Sequence, residues 1–444
     1  MEGSSVFHRS IQKTYPKASK GSGVYLHTSD GRKILDGSSG AAVSSLGHGN
    51  QEIINAICEQ AQSLAFAHSS FFTSDPAEDL AKFVIKCSND AFAKVMFLTS
   101  GSEAVESALK VARQYHIYKG EPGRVNYIGR EYSYHGNTLG ALGAGNNPAR
   151  RGAFAPILGP TFRHVSRCFY DTDGQGRTEK EYEDALLGEY EEKIKSLGPE
   201  TVAAVIVEPV GGATLGSVPA TKTYLPRLSA LCKQYGILTI FDEVMCGMGR
   251  VGSYHAWQSL GGVAPDLQTI GKGLGGGYQP LSAVLISQNV QSIFEEHSKG
   301  SQAFVSGHTF QDHSMGCAAA IAAQRILFRD NLVASSQRQG EFLAATLKSQ
   351  LPPSFGPSGG SIRGLGLFQT VDFGRLSEKY GGAPLAKEVA ERTFVRGAAV
   401  YLCSSAVDAV LFAPPFIISE GEVKELVGMF VGALEDVLAS RQSS

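Results

Sequence analysis

The chain has 444 residues, enough for two domains and a large core, with a hydrophobic fraction of 43% and a charged fraction of 18%. A net charge of −2 leaves no basic footprint for nucleic acid or an anionic membrane surface. No apolar run approaches the ~18 residues that a membrane span needs. Seven cysteines stand singly, without a CxxC pair, which argues against a disulfide framework or a zinc site and for a reducing compartment. The first residues carry no apolar signal core, and the last three match no retention or peroxisomal tripeptide, so the expected location is cytoplasmic.

Short apolar runs at 24–27 and 33–36 flank Ser29-Asp30-Gly31, the pattern of a hairpin. A helix is expected from the turn at 47–50 to about residue 67, with Ile53, Ile54, Ile57 and Ala61 on one face. Phe71 and Phe72 follow in a loop before a second helix at about 76–87. Residues 95–98 read as a strand that runs through Thr99-Ser100-Gly101-Ser102-Glu103 into a helix at 104–118. A helix start exposes unpaired N–H groups and partial positive charge, so Ser100, Gly101 and Ser102 suit a phosphate; they also suit a plain N-cap. Another strand at 126–128 leads to Tyr132-Ser133-Tyr134-His135-Gly136-Asn137-Thr138, where an aromatic beside a glycine can lie flat on a ring.

Residues 160–200 are polar and irregular, then helical from 179 to 196. The apolar strand 201–207 stops at Glu208. A helix at 224–235 leads to a second apolar strand, 237–241, which stops at Asp242 and Glu243. Strand, helix, strand is a βαβ unit, and ligands of open α/β sheets sit at the carboxyl ends of such strands. Lys272 stands among Gly271, Gly273, Gly275, Gly276 and Gly277, open to close approach by a flat ligand. An acid at a strand end plus this lysine suggests pyridoxal phosphate. A strand at 281–287 and an Ala-rich helix at 314–327 complete the large unit. Beyond it, helices at 337–350 and 384–396, strands at 365–373, 398–403 and 410–412, and a last helix capped at Ser419 read as a smaller α+β domain.

Five separated pieces, TSGSEAVE (99–106), YSYHGNT (132–138), EPVGG (208–212), DEVMCGMGR with GKGLGGG (242–250, 271–277) and GHTF (307–310), resemble the class III aminotransferases, pyridoxal-phosphate enzymes of fold type I. The resemblance implies an α/β large domain with a mostly parallel mixed sheet flanked by helices at 50–330. It also implies a small domain at 331–444 that packs with the segment 1–49. Lys272 would hold the cofactor covalently and carry protons, and Asp242 would face the pyridine nitrogen. Gly101 and Ser102 would bind the phosphate, helped by Thr309 from a neighbouring subunit of a homodimer. Tyr134 and Val244 would cover the two ring faces, with His135 and Glu208 near the ring's edge.

By the same resemblance the substrate pocket comprises Ala41, Ala42, Asn137, Ala213, Met245 and Tyr401, with Phe71 and Phe72 reaching across the dimer. Ala213 stands where some members carry a glutamate that gates a substrate-binding arginine. The segment 398–415, where ω-amine:pyruvate members carry an arginine, has none; Arg163 is one substitute. Alanines at 41 and 42, where many ω-transaminases have bulky residues, suggest a bulky or hydrophobic primary amine and a 2-oxo acid such as pyruvate or 2-oxoglutarate. The family's fold also hosts aminomutases, phospho-lyases, decarboxylases and racemases. A non-catalytic scaffold is the reading furthest from these, against the intact lysine, aspartate and phosphate loop.

Overall fold

Val202–Val207 and Leu238–Asp242 are buried at every position in the computed structural model, which describes residues 4–298 and 303–442. Continuous apolar strands of this kind need cover on both faces, and a parallel sheet with helices on each side provides it. The sheet has seven strands in the order Lys94–Leu98, Ser282–Ile286, Leu267–Ile270, Leu238–Asp242, Val202–Val207, Asn126–Arg130, Phe162–Val165. Ser282–Ile286 runs antiparallel to both its neighbours, and the remaining pairings are parallel. The carboxyl ends of the 94–98, 202–207 and 238–242 strands therefore open on one edge, and the functional loops follow from that edge.

Two strands of this sheet are absent from the sequence reading. Leu267–Ile270 contains Gln268 and Thr269, polar residues that mask a fully buried strand. Both are satisfied inside: Gln268 accepts from Trp257 Nε1 at 3.0 Å, and Thr269 donates to Asp242 Oδ1 at 3.0 Å. Phe162–Val165 is an edge strand within the stretch expected to be irregular, too short to show a period. The helix expected to reach residue 67 ends at Ser63, because Leu64 turns to the extended region.

The expected strand 365–373 is a hairpin, Ser361–Leu365 against Phe368–Asp372, turned at Gly366 with φ +52. The expected strand 398–403 splits in two. Ala398–Ala399 pairs in parallel with Lys33–Asp36, extending the N-terminal sheet, whereas Tyr401–Leu402 pairs with Ala409–Phe412. The N-terminal strands and the C-terminal segment thus share one sheet. The helix expected at 337–350 begins at Leu332. Of the termini read for targeting signals, residues 1–3 and 443–444 lie outside the described residues.

Candidate active site

Asp242 ends its strand with the carboxylate turned into a cavity of about 700 Å³. Three donors fix that carboxylate. His135 Nδ1 lies 2.7 Å from Oδ2, while the Val244 N–H and the Thr269 hydroxyl reach Oδ1 at 3.1 and 3.0 Å. Because Oδ2 is an acceptor, His135 carries the shared proton on Nδ1. Its Nε2 is buried and without a partner among the described residues.

Glu208 lies at the end of the neighbouring strand and is buried too. Its two oxygens accept from the Tyr134 N–H at 3.1 Å and the Gly212 N–H at 2.9 Å, which ties the aromatic loop to the EPVGG turn. Burial pushes its carboxyl up, opposed by His135 and reinforced by Asp242.

Lys272 lines the same cavity, half-buried and in the left-handed region at φ +43. That backbone costs on the order of 1 kcal/mol for a residue with a Cβ, and such strain collects at functional positions. Desolvation drives its ammonium below the ordinary lysine range, although Asp242 and Glu208 oppose this. The result is an amine readier to react as the free base. The glycines around it serve chain packing as much as ligand approach. A Cβ at Gly275 would sit 2.7 Å from the Gln279 carbonyl, and Gly277 has φ +85.

At the other end of the cavity the helix Gly101–Tyr118 begins. A capping box occupies its start. Ser100 Oγ accepts from the Glu103 N–H, and the Glu103 carboxylate accepts from the Ser100 N–H. This leaves the N–H groups of Gly101 and Ser102 pointing at the cavity for an anion. Ser102 Oγ accepts from the Asn137 N–H at 3.0 Å, so its own proton is free to be donated outward. The approach is tight: a Cβ at Gly101 would lie 2.6 Å from Val244 Cγ1.

Tyr134, Val244 and Met245 wall the space between these ends. Ala41, Asn137, Ala213 and Tyr401 border its outer part. Tyr401 arrives from the C-terminal sheet. The chain just after it is sewn to the opposite wall, with the Ser404 N–H on the Ala213 carbonyl and the Ser404 hydroxyl on that of Thr214, both at 2.9 Å.

Five expected residues do not line this cavity, three of them expected at the neighbouring subunit's site. Ala42 is packed into the core beside the cavity, at φ +61, rather than lining it. Phe71 and Phe72 are on the surface, 79% and 65% exposed, and Thr309 is exposed in a separate groove. Arg163, the candidate carboxylate partner, sits on the edge strand with its guanidinium on the carbonyls of Pro160 and Phe162; it does not border the cavity. The sequence reading missed Arg150, Arg9 and Asn147, all on the cavity wall. The only sequence signal for Arg150 is Asn147-Pro148, the start of a single helical turn, Pro148–Arg151.

A buried strand-end carboxylate, a strained and desolvated lysine and an open helix start line one cavity, an arrangement that suits an enzyme with a phosphorylated cofactor. The chain belongs to the class-III aminotransferases: the family model matches residues 6–434. It is 38% identical over 432 residues to an uncharacterized aminotransferase of Schizosaccharomyces pombe, covering 95% of this chain and 93% of that one. The diaminobutyrate–2-oxoglutarate transaminase of Halomonas elongata is 31% identical over 94% of this chain and 89% of its own length. The vanillin aminotransferase of Capsicum chinense is 34% identical over 94% and 90%. Among solved structures, the omega transaminase of Pseudomonas jessenii in complex with PMP superposes with a TM-score of 0.89 at 30% identity, over 96% of this chain and 94% of that one. The fold is that of the omega transaminases, and the protein is a pyridoxal-phosphate-dependent aminotransferase.

Proposed function

We propose that the protein moves an amino group from a bulky or hydrophobic primary amine to a 2-oxo acid such as pyruvate or 2-oxoglutarate. It binds pyridoxal phosphate in the cavity described above and works as a homodimer in the cytoplasm. The observation that carries the substrate reading is the small residue at each position that would narrow the cavity. Ala41 and Ala213 border about 700 Å³ of space walled by Tyr134, Tyr401 and Met245. Large aromatic-walled cavities favour apolar substrates.

The donor set fits the cofactor. The orphaned Nε2 of His135, the free first-turn N–H groups and the close approach of Gly101 to Val244 suit a flat phosphorylated ring in one part of the cavity. Gly101 and Ser102 would hold the phosphate, Asp242, fixed by three donors, would pair with the ring nitrogen, and Tyr134 and Val244 would hold the ring between them. When bound, the cofactor supplies an electron sink for the carbanion formed at the substrate. Lys272 would hold it and then move the proton at the substrate carbon; desolvation lowers its basicity, which favours the free amine that this role needs.

Phe71, Phe72, Phe66 and Phe310 form an exposed aromatic patch, with Phe66 and Phe310 ring centroids 5.6 Å apart. A second copy over this patch supports the dimer, with Thr309 and the Phe71/Phe72 pair facing the neighbouring cavity. The test is an amine-donor panel with pyruvate as acceptor. Aryl and long-chain amines should be preferred over ornithine, 2,4-diaminobutyrate and 4-aminobutyrate, with one new carbonyl compound released per alanine formed. A preference for the diamine or amino-acid donors overturns the substrate assignment. Turnover without alanine would point to a mutase, lyase or racemase.

A further inference from the structure

We propose that Arg150 anchors the carboxylate of the 2-oxo acid, the role left vacant by the arginine-free C-terminal segment; this rests on the transaminase reading above. Among the described residues the cavity wall offers three cationic side chains: Lys272, Arg9 and Arg150. Lys272 is deep, beside Asp242 and Glu208, and its amine is the reacting group. With two buried carboxylates already at the floor, an incoming carboxylate needs a cation on the cavity wall to offset their repulsion.

Arg150 supplies it. Its guanidinium carbon stands 5.8 Å from the centroid of the Tyr134 ring, the aromatic that walls the reacting end. It has no carboxylate partner among the described residues, whereas Arg167, Arg227 and Arg363 are each committed to an acid. Its backbone is held in place. The Arg150 and Arg151 N–H groups both donate to the Asn147 carbonyl, and the buried Asn147 side chain donates to Thr214 Oγ1 at 3.1 Å. Thr214 in turn receives the Ser404 hydroxyl at its carbonyl. The turn bearing Arg150 is therefore braced against the segment from which the missing arginine would have come. Arg9 lies at a bend outside any helix or strand and has no comparable brace.

A guanidinium stacked on an aromatic and free of an acid can grip a carboxylate with two parallel N–H bonds. A neutral amine or aldehyde makes no use of it. One site can then take a hydrophobic amine in one half-reaction and an acid in the other, without a moving arginine.

The experiment uses the full-length enzyme loaded with pyridoxal phosphate, one hydrophobic amine donor, and pyruvate or propanal as acceptor. Arg150→Met should lower kcat/KM for pyruvate by about 10–100-fold, mainly through KM. The value for propanal should change far less, so the preference for the acid collapses. Arg150→Lys should restore part of it. If Arg150→Met keeps the wild-type preference, or if the preference falls in Arg9→Met instead, the assignment is overturned while the transaminase reading survives. If the wild-type enzyme transfers no amine to either acceptor, the transaminase reading fails and takes this assignment with it.

Discussion

His135 Nδ1 stands 2.7 Å from Asp242 Oδ2, with both side chains shut away from bulk solvent. The contact does two things at once. It satisfies one lone pair of a buried carboxylate, and it sets the histidine so that Nε2 is the free nitrogen. Replacing His135 by Phe keeps the volume and removes the donor. A buried acceptor without a partner costs about 1–3 kcal/mol. We expect His135→Phe to lose that much stability in chemical denaturation and to turn over about tenfold more slowly, since Asp242 is then free to rotate. His135→Asn should recover part of both. Wild-type stability and turnover in the Phe variant would show that Thr269 and the Val244 N–H suffice to hold the acid.

Lys272 combines a left-handed backbone with a desolvated amine, and neither favours folding. Lys272→Ala should lose the long-wavelength absorbance of a covalently held cofactor, and turnover should fall by about 10³-fold or more. The same variant should melt no lower than the wild type when both are stripped of cofactor. A residue kept for chemistry at a cost in stability behaves in this way. A variant with wild-type turnover would remove Lys272 from the chemistry.

The legible parts of this molecule were those with a strong local signal. VAAVIV and LTIFD each announce a buried strand, and the acid after each marks the sheet's working edge. Ser419 and Glu422 announce a capped helix, and the structure contains that capping box. Leu267–Ile270 was illegible because its polar residues are satisfied only by partners distant in sequence, Trp257 and Asp242. Arg150 was illegible for a related reason. Its place on the cavity wall depends on Asn147 meeting Thr214, sixty-seven residues away, and no periodicity encodes that meeting. The absence of an arginine in 398–415 was visible; the residue facing the gap was not.

Gly101 meets Val244 so closely that a methyl group would fall 2.6 Å from Val244 Cγ1, at the point where the phosphate end of the cavity closes. Gly101→Ala must displace either the helix start or the Val244 side chain. Overpacking of this kind costs about 1–3 kcal/mol. Since Val244 lines the cavity proposed to hold the cofactor, we expect the loss to appear as roughly 10–100-fold weaker cofactor affinity, read by fluorescence titration of the apoenzyme. Val244→Ala in the same chain should relieve the clash and restore part of the affinity. If the double variant binds no better than Gly101→Ala alone, the clash is not the cause.

Glu243 follows Asp242 in the chain but faces away from the cavity, fully buried, with its oxygens on the N–H groups of Ala256 and Trp257 at 2.6 and 2.9 Å. Burial pushes its carboxyl up to about 8, although those two N–H groups pull the other way. In the unfolded chain the same group titrates near the ordinary glutamate value of about 4.3. Between these two values the folded protein keeps a proton that the unfolded chain has lost. Stability therefore falls as pH rises through that window, and the loss is complete above about pH 8. Its full size is on the order of 5 kcal/mol. Glu243→Gln cannot ionise, so it should flatten this slope, at the cost of a poorer bond to one of the two N–H groups at low pH. Melting curves from pH 5 to 9 should show the wild type ahead at the acid end and the variant closing the gap by several degrees toward the alkaline end. Parallel curves across that range would mean that Glu243 is ionised throughout and held by its two N–H donors.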